Sequence, residues 1–136
     1  MPEPAEQATT GATGVDSRLM KHGKLSYIEI PALDTLQSAD FYAKVFGWNV
    51  RGDAEHAGFD DPSGDLIGHW VTGRVISREP GVLPYIYVDG IDKTLDEVTK
   101  QGGEIVLPPY REGDLWVATF RDPGGNVVGI WQRGAR

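Results

Sequence analysis

The stretches DPSGDLIGHW (61–70) and DPGGNVVGIW (122–131) decide the fold of this chain. They share Asp, Pro, Gly, Gly and Trp at the same places within ten positions. An Asp-Pro-x-Gly run favours a tight turn, and the apolar residues that follow are typical of a β-strand. Such a repeat within one chain predicts two tandem copies of one structural module.

The segments upstream of the two hairpins repeat as well. The run Tyr27-Ile28-Glu29-Ile30 matches Tyr85-Ile86-Tyr87-Val88, and each run has the apolar character of a strand. A helical pattern follows both runs. The first helix has Asp34 and Gln37 at the spacing of a capping box, and Gly47 is a typical C-terminal stop.

The predicted organisation is one α+β domain made of two βαβββ modules. Residues 1–20 are rich in Ala, Thr, Gly, Glu and Pro and are expected to be a disordered tail, so the domain covers 21–136. Module one is predicted at 24–71, a polar linker with a Pro-Gly pair at 72–81, and module two at 82–132. The predicted strands are 24–30, 48–53, a short one around Phe59, 66–71, 83–88, 104–107, 115–121 and 126–132, with helices after Asp34 and over 92–101.

Composition argues against several classes of function. The net charge is -7, from 13 basic and 20 acidic residues, so phosphate backbones and anionic lipids are repelled. No apolar run reaches the roughly 18 residues of a membrane helix. The chain has no Cys, which fits a reducing compartment, and we expect a cytoplasmic protein that binds neither nucleic acid nor membrane.

Two segments resemble a known family. IEIPALDTLQSADFYAKVFGW (28–48) and FRDPGGNVVGIWQ (120–132) are similar to the first strand and helix, and to the last hairpin, of the vicinal oxygen chelate superfamily, the glyoxalase/bleomycin resistance/dioxygenase group. The resemblance implies a cupped, half-open mixed β-barrel with outer helices, and commonly a homodimer. It also implies one of two activities: metal-dependent lyase, isomerase, epimerase or dioxygenase chemistry, or metal-free sequestration of a drug.

The resemblance places the family's metal ligands at positions that hold poor ligands here. Tyr27 occupies the first position, Leu83 or Tyr85 its counterpart in module two, and Gly68 and Gly129 the positions in the last strands. Neutral phenols and glycines do not bind divalent ions well. We therefore expect no metal and no cofactor.

The three histidines do not replace those ligands. His22 lies at the tail junction and His56 in a polar turn. His69 follows Gly68, so strand alternation predicts that it points toward the helix as a packed residue rather than as a ligand.

Glu29 is the candidate catalytic residue. It lies two positions after Tyr27, so both side chains share the cavity face of the strand. A carboxylate in a partly apolar cavity could act as a general base or bind a cationic group. The alternative is a solvated or Arg-paired carboxylate at the open mouth of the barrel.

Aromatic residues are predicted to line the cavity beside Glu29. The predicted ligand-binding set is Tyr27, Glu29, Phe59, Trp70, Tyr85, Tyr87, Trp116 and Trp131. A largely aromatic lining with a few polar tips is the usual composition of a small-molecule site. The alternative is that these rings pack the core or a dimer interface.

These observations favour a metal-free protein that holds a small molecule in an aromatic-lined cup and forms a homodimer. The alternative is a lyase, isomerase or dioxygenase of the same superfamily, with a displaced metal site or with Glu29 as base. A third possibility is a cup filled by its own side chains.

Overall fold

The computed structural model describes residues 17–136. These residues belong to two compact units, one ending at Gly73 and the other running from Arg74 to Arg136. The division falls inside the predicted linker. Each unit contains one α-helix and one four-stranded mixed sheet in the order βαβββ, which confirms the predicted α+β class. The half-open barrel implied by the family resemblance stays a prediction.

The first unit is built on a sheet of order β1-β4-β3-β2. Its elements are β1 (Tyr27–Pro31), α1 (Thr35–Phe46), β2 (Asn49–Arg51), β3 (Gly58–Asp60) and β4 (Ile67–Val71). Strands β1 and β4 are parallel, and the other neighbours are antiparallel. The chain between β1 and β4 includes α1, as a parallel pair requires a long crossover connection.

Helix α1 begins and ends as its sequence predicts. The Asp34 side chain accepts hydrogen bonds from the backbone N–H groups of Leu36 and Gln37. Gly47 follows the last turn with a φ of 73°, a left-handed conformation that favours glycine. Both ends of the helix therefore have their free backbone groups partly satisfied by local residues.

A stack of aromatic rings joins α1 to the sheet of the first unit. Trp48 lies between Tyr42 of α1 and Phe59 of β3, with ring centroids 4.5 and 4.4 Å away. Trp70 of β4 completes the stack at 4.9 Å from Phe59. Tyr42, Phe59 and Trp70 are fully buried, so these rings form the centre of the core.

The second unit is built on a sheet of order β5-β8-β7-β6. Its elements are β5 (Tyr85–Tyr87), α2 (Ile91–Lys100), β6 (Glu104–Glu112), β7 (Leu115–Arg121) and β8 (Val127–Arg133). Helix α2 has no side-chain cap of its own. Instead the Gln132 side chain at the end of β8 accepts a hydrogen bond from the N–H of Ile91 at 2.7 Å, which ties the helix start to the sheet.

Strand β6 forms the outer edge of this sheet and is longer than the predicted 104–107. Its pairing with β7 shifts register twice, between Ile105 and Leu107 and between Leu107 and Tyr110. The second shift contains Pro108 and Pro109. Proline has no N–H for the ladder, and the irregularity interrupts the alternation that would have revealed the full strand.

Folded structure begins before Lys21, where the sequence placed the start of the domain. Residues Ser17–Leu19 form a 3-10 turn, and Leu19 is buried beside Ile67 and Tyr27. Arg18 donates a hydrogen bond to the carbonyl of Ser63 at 2.8 Å. Residues 1–16 of the predicted disordered tail lie outside the described residues.

The helices of the described chain are short. The longer one, α1, has 12 residues, and within 17–136 no helix has the length and apolar character needed to cross a membrane.

Candidate functional site

The helix of each unit packs on one face of its sheet, and the opposite face carries most of the candidate residues. In the first unit we call this opposite side the polar face, and define it as Tyr27, Glu29, Arg51, Asp60 and His69. Register fixes this grouping, because Glu29 lies opposite His69 across β1 and β4. Residues opposite one another in a sheet point to the same side.

Tyr27, His69 and Glu29 form a connected group on the polar face. The Tyr27 hydroxyl and His69 Nδ1 are 2.6 Å apart, a short hydrogen bond. On the other side of the imidazole, His69 Nε2 lies 3.7 Å from Glu29 Oε2. The histidine therefore lies between a phenol and a carboxylate, which is the arrangement that acid–base and proton-transfer chemistry uses.

Burial raises the pKa of the Tyr27 phenol above its ordinary value of 10.0, and the negative charge of Glu29 raises it further. Both effects disfavour the phenolate. Tyr27 is accordingly a hydrogen-bond donor or acceptor at neutral pH and does not act as a base.

An ion pair joins strands β2 and β3 on the same face. Arg51 of β2 donates to the Asp60 carboxylate of β3. Gly58 lies between His69 and Arg51 in the strand register and brings no side chain. The polar face thus carries two acidic groups, one guanidinium, one imidazole and one phenol.

The predicted facings of His69 and Trp70 are wrong, and they are exchanged. His69 joins Tyr27 and Glu29 away from the helix. Trp70 is fully buried and lies on the helix side, with its ring 5.9 Å from Tyr42. The cause is the facing of Gly68, from which both predictions start: the family resemblance places it on the cavity face, whereas it lies opposite the buried Phe59 on the helix side.

Phe59 also lies on the helix side, opposite Gly68. Its ring fills the space beside that glycine: a Cβ on Gly68 would lie 2.7 Å from the Phe59 ring and 2.0 Å from the Ile28 carbonyl oxygen. The space at Gly68 is therefore part of the core and is not open to a ligand. Phe59 and Trp70 are removed from the candidate ligand contacts.

The second unit presents an aromatic face, defined as Tyr85, Tyr87, Tyr110 and Trp131. Tyr87 packs edge-on against Trp131 with centroids 4.7 Å apart. The Tyr85 ring lies over Gly129, because a Cβ there would be 2.4 Å from its carbons. Tyr110 is hydrogen-bonded to Tyr85. Burial raises the pKa of the Tyr110 phenol, and the neighbouring Tyr85 raises it further.

Trp116 does not belong to the aromatic face. It pairs with Gln132, whose side chain reaches the start of α2, so it lies on the other side of the sheet. The guanidinium carbons of Arg111 and Arg136 lie 5.5 and 4.8 Å from the centre of its indole. Two cation–π contacts therefore occupy this tryptophan.

The donor set does not fit the metal site of the family. Within residues 17–136, no three His, Cys, Asp or Glu side chains converge. On the polar face the carboxylate of Glu29 approaches His69, and the Tyr27 phenol is a poor third ligand. The absence of a metal stays a prediction.

Three residues of these faces were missed in the sequence. His69 was assigned to the wrong face, and Arg51 and Tyr110 were not considered. The separation in sequence between Tyr85 and Gly129 is larger than that between Tyr27 and Gly68. This difference between the modules was the available signal for a change of register.

The sequence model of the Glyoxalase/Bleomycin resistance protein/Dioxygenase superfamily matches residues 24–130. The chain belongs to this superfamily. A glyoxylase-like domain-containing protein of Didymella fabae is 30% identical over 132 residues, covering 85% of this chain and 98% of that protein. CFP32 of Mycobacterium bovis is 26% identical over 121 residues, covering 82% of this chain and 46% of CFP32. The superfamily member described here thus spans about half the length of CFP32.

Solved structures share the superfamily fold. A glyoxalase/bleomycin resistance protein/dioxygenase family enzyme from Burkholderia phytofirmans PsJN has a TM-score of 0.69 at 21% identity, covering 82% of this chain and 99% of that one. TnmS3, an antibiotic binding protein from Streptomyces sp. CB03234, has a TM-score of 0.64 at 21% identity, covering 85% and 99%. At this identity the likeness shows the fold alone.

Proposed function

We propose that the protein binds a small molecule with a flat aromatic ring on the aromatic face of the second unit, without a metal. One observation carries the proposal: three tyrosines, Tyr85, Tyr87 and Tyr110, stand 46%, 50% and 39% exposed beside Trp131. A contiguous exposed apolar patch is typical of an interaction site or a ligand-binding groove.

The aromatic face has the physical properties that such a ligand requires. Rings stack on a flat partner with about 0.5–1.5 kcal/mol per pair beyond the burial of area. The hydroxyls of Tyr85 and Tyr87 give polar contacts at the rim. The superfamily membership of the chain and the fold shared with TnmS3, an antibiotic binding protein, support the same reading.

The test uses doxorubicin, a fluorescent planar aromatic compound, together with a thermal-shift screen of other aromatic antibiotics. We expect at least one compound to raise the melting temperature and Tyr87→Ala to weaken its binding about tenfold, since a stacked ring contributes about 1 kcal/mol or more. Leu36→Ala, at an equally exposed apolar residue of α1, is the matched control. No binding by any compound, or equal weakening in both variants, would sink the proposal.

Homodimer formation is a separate proposal that the same variants address. Sedimentation velocity over a range of protein concentrations measures it without a ligand. If Tyr87→Ala dissociates a dimer and no aromatic compound binds, the aromatic face is an interface between copies rather than a ligand site.

Glu29 supports a second candidate function, an enzyme of the same superfamily. The observation that favours it is the approach of the Glu29 carboxylate to His69, with Tyr27 on the far side of the imidazole. Metal analysis of protein purified without chelator and Glu29→Gln test it. About one divalent ion per chain, or a turnover that Glu29→Gln abolishes while binding persists, would favour the enzyme over sequestration.

A further inference from the structure

We propose that Tyr27, His69 and Glu29 form a proton-controlled binding site for the oxygen acceptor of a neutral small molecule. When His69 is neutral, the Tyr27 hydroxyl donates its hydrogen bond to the imidazole. When His69 is protonated, the hydroxyl is free to donate to a ligand instead. The inference rests on small-molecule binding as proposed above, but it concerns the polar face of the first unit and needs none of the tyrosines of the aromatic face.

The uncharged state follows from the positions of the atoms. Neutral imidazole carries one N–H and one bare nitrogen. Tyr27 lies 2.6 Å from Nδ1, and the Glu29 carboxylate lies on the Nε2 side at 3.7 Å. Both contacts are favourable when Tyr27 donates to Nδ1 and the Nε2–H group faces the Glu29 carboxylate. In this state the phenolic proton is held inside the group.

The charged state reverses one hydrogen bond. Imidazolium carries a hydrogen on each nitrogen, so Nδ1 donates and the Tyr27 oxygen must accept. The phenolic hydrogen then rotates away from His69 and is available to a new acceptor. The raised pKa of Tyr27 means that the phenol keeps this hydrogen throughout the neutral range.

The charges around His69 decide which ligand fits. The titratable and charged groups of the first unit that share its face are Tyr27 and Glu29 from β1, Arg51 from β2 and Asp60 from β3. Arg51 and Asp60 pair with each other, and the Glu29 carboxylate lies 3.7 Å from the imidazole. A carboxylate favours the imidazolium and repels an anion, so the ligand is a neutral acceptor such as an amide or ketone.

The site is reachable from solvent. The side chains of His69 and Glu29 are 15% and 20% exposed, so both are mostly buried but remain open to proton exchange. A hydrogen bond in such a partly desolvated place is stronger than one made at the open surface.

The first experiment examines the protein without ligand. Long-range proton–nitrogen NMR of His69 should show Nε2 protonated and Nδ1 bare at pH 8. As pH falls, the Tyr27 Cζ resonance should shift with the same midpoint as His69. Tyr27→Phe should relax the tautomer preference, and Glu29→Gln should lower the midpoint. A neutral imidazole protonated at Nδ1, or a Tyr27 resonance indifferent to His69, would overturn the proposal.

The second experiment uses N,N-dimethylacetamide, a neutral carbonyl acceptor without N–H and without a ring. Its affinity, read at each pH from the backbone amide shifts of β1 and β4 as the compound is added, should rise about fivefold when His69 is protonated, as one net hydrogen bond of about 1 kcal/mol implies. Tyr27→Phe should abolish this pH dependence, and Leu36→Ala, at an exposed residue of α1, should preserve it. Absent or pH-independent binding overturns this site alone, whereas failure of the aromatic compounds overturns the proposed function.

Discussion

The two hairpins at 61–70 and 122–131 carry one sequence pattern but place their tryptophans on opposite faces of their sheets. Trp70 is buried on the helix side and stacks in the core. Trp131 lies on the other side, against the exposed ring of Tyr87. This difference in facing accompanies a polar sheet face in the first unit and an aromatic one in the second.

The connection within each hairpin differs by one residue. Residues 61–66 lie between the paired Asp60 and Ile67, whereas only residues 122–126 lie between Arg121 and Val127. Because side chains alternate along a strand, a one-residue slip sends the whole set to the other face. The shared motif determines the turn, and the length of the connection determines which sheet face each later residue occupies.

The largest expected effect comes from removing this difference. Deletion of Asp65 gives the first hairpin the shorter connection of the second, so β4 either slips and loses the burial of Trp70 or is strained. We expect a loss of about 4 kcal/mol or more in the free energy of unfolding, comparable to truncating a buried Trp. Asp65→Ala keeps the length and is the control, measured by urea denaturation. Equal stability of deletion and control would contradict the role of the connection.

The equivalent glycines give the next largest contrast. In Gly68→Ala the new Cβ would lie 2.0 Å from the backbone oxygen of Ile28, which cannot move alone, and we expect a loss of about 3 kcal/mol. In Gly129→Ala the obstacle is the half-exposed Tyr85 ring, which can rotate away, so the loss should stay below about 1 kcal/mol. Denaturation of both variants measures the difference, and similar losses would mean that the faces are not distinct.

The aspartates that begin the two turns should differ by a smaller amount. Asp122 is buried, and its Oδ1 accepts from the N–H groups of Gly124, Gly125 and Asn126. Asp122→Ala leaves buried donors without a partner, which should cost about 2 kcal/mol. Asp61 makes similar bonds at the surface, where water replaces them, so Asp61→Ala should cost about half as much. Thermal unfolding of the pair provides the measurement.

The smallest effect concerns the alkaline stability of the polar face. The pKa of Tyr27 is raised in the folded state, so its stabilising contribution is complete below the unfolded value near 10 and is lost as pH rises through the folded value. Tyr27→Phe should flatten the decline in stability above pH 10, seen in urea midpoints. An unchanged decline would show that other groups cause it.

Much of the fold could be predicted because its signals are local. The cap at Asp34, the stop at Gly47 and the bounds of β7 (Leu115–Arg121) depend on residues adjacent in the chain, and these predictions are confirmed. The full length of β6 was missed because the irregular pairing around Pro108 breaks the alternation.

The candidate site was predicted less completely, because facing depends on where a ladder begins. The shared side of Tyr27 and Glu29 follows from their spacing within one strand, and both contact His69 in the structure. The positions of His69 and Trp70 depend on register across strands. The family resemblance placed Gly68 on the cavity face, so alternation from Gly68 gave the wrong face for both residues.

The edge strand β6 has a consequence for the behaviour of the protein in concentrated solution. Its residues Ile105, Val106 and Leu107 have large exposed surfaces, a composition that invites fibrous aggregation along an open sheet edge. Pro108 and Pro109 interrupt that edge directly afterwards, because neither can donate to an incoming strand. These two residues act as gatekeepers, so a variant that loses them would threaten solubility before it threatened folding.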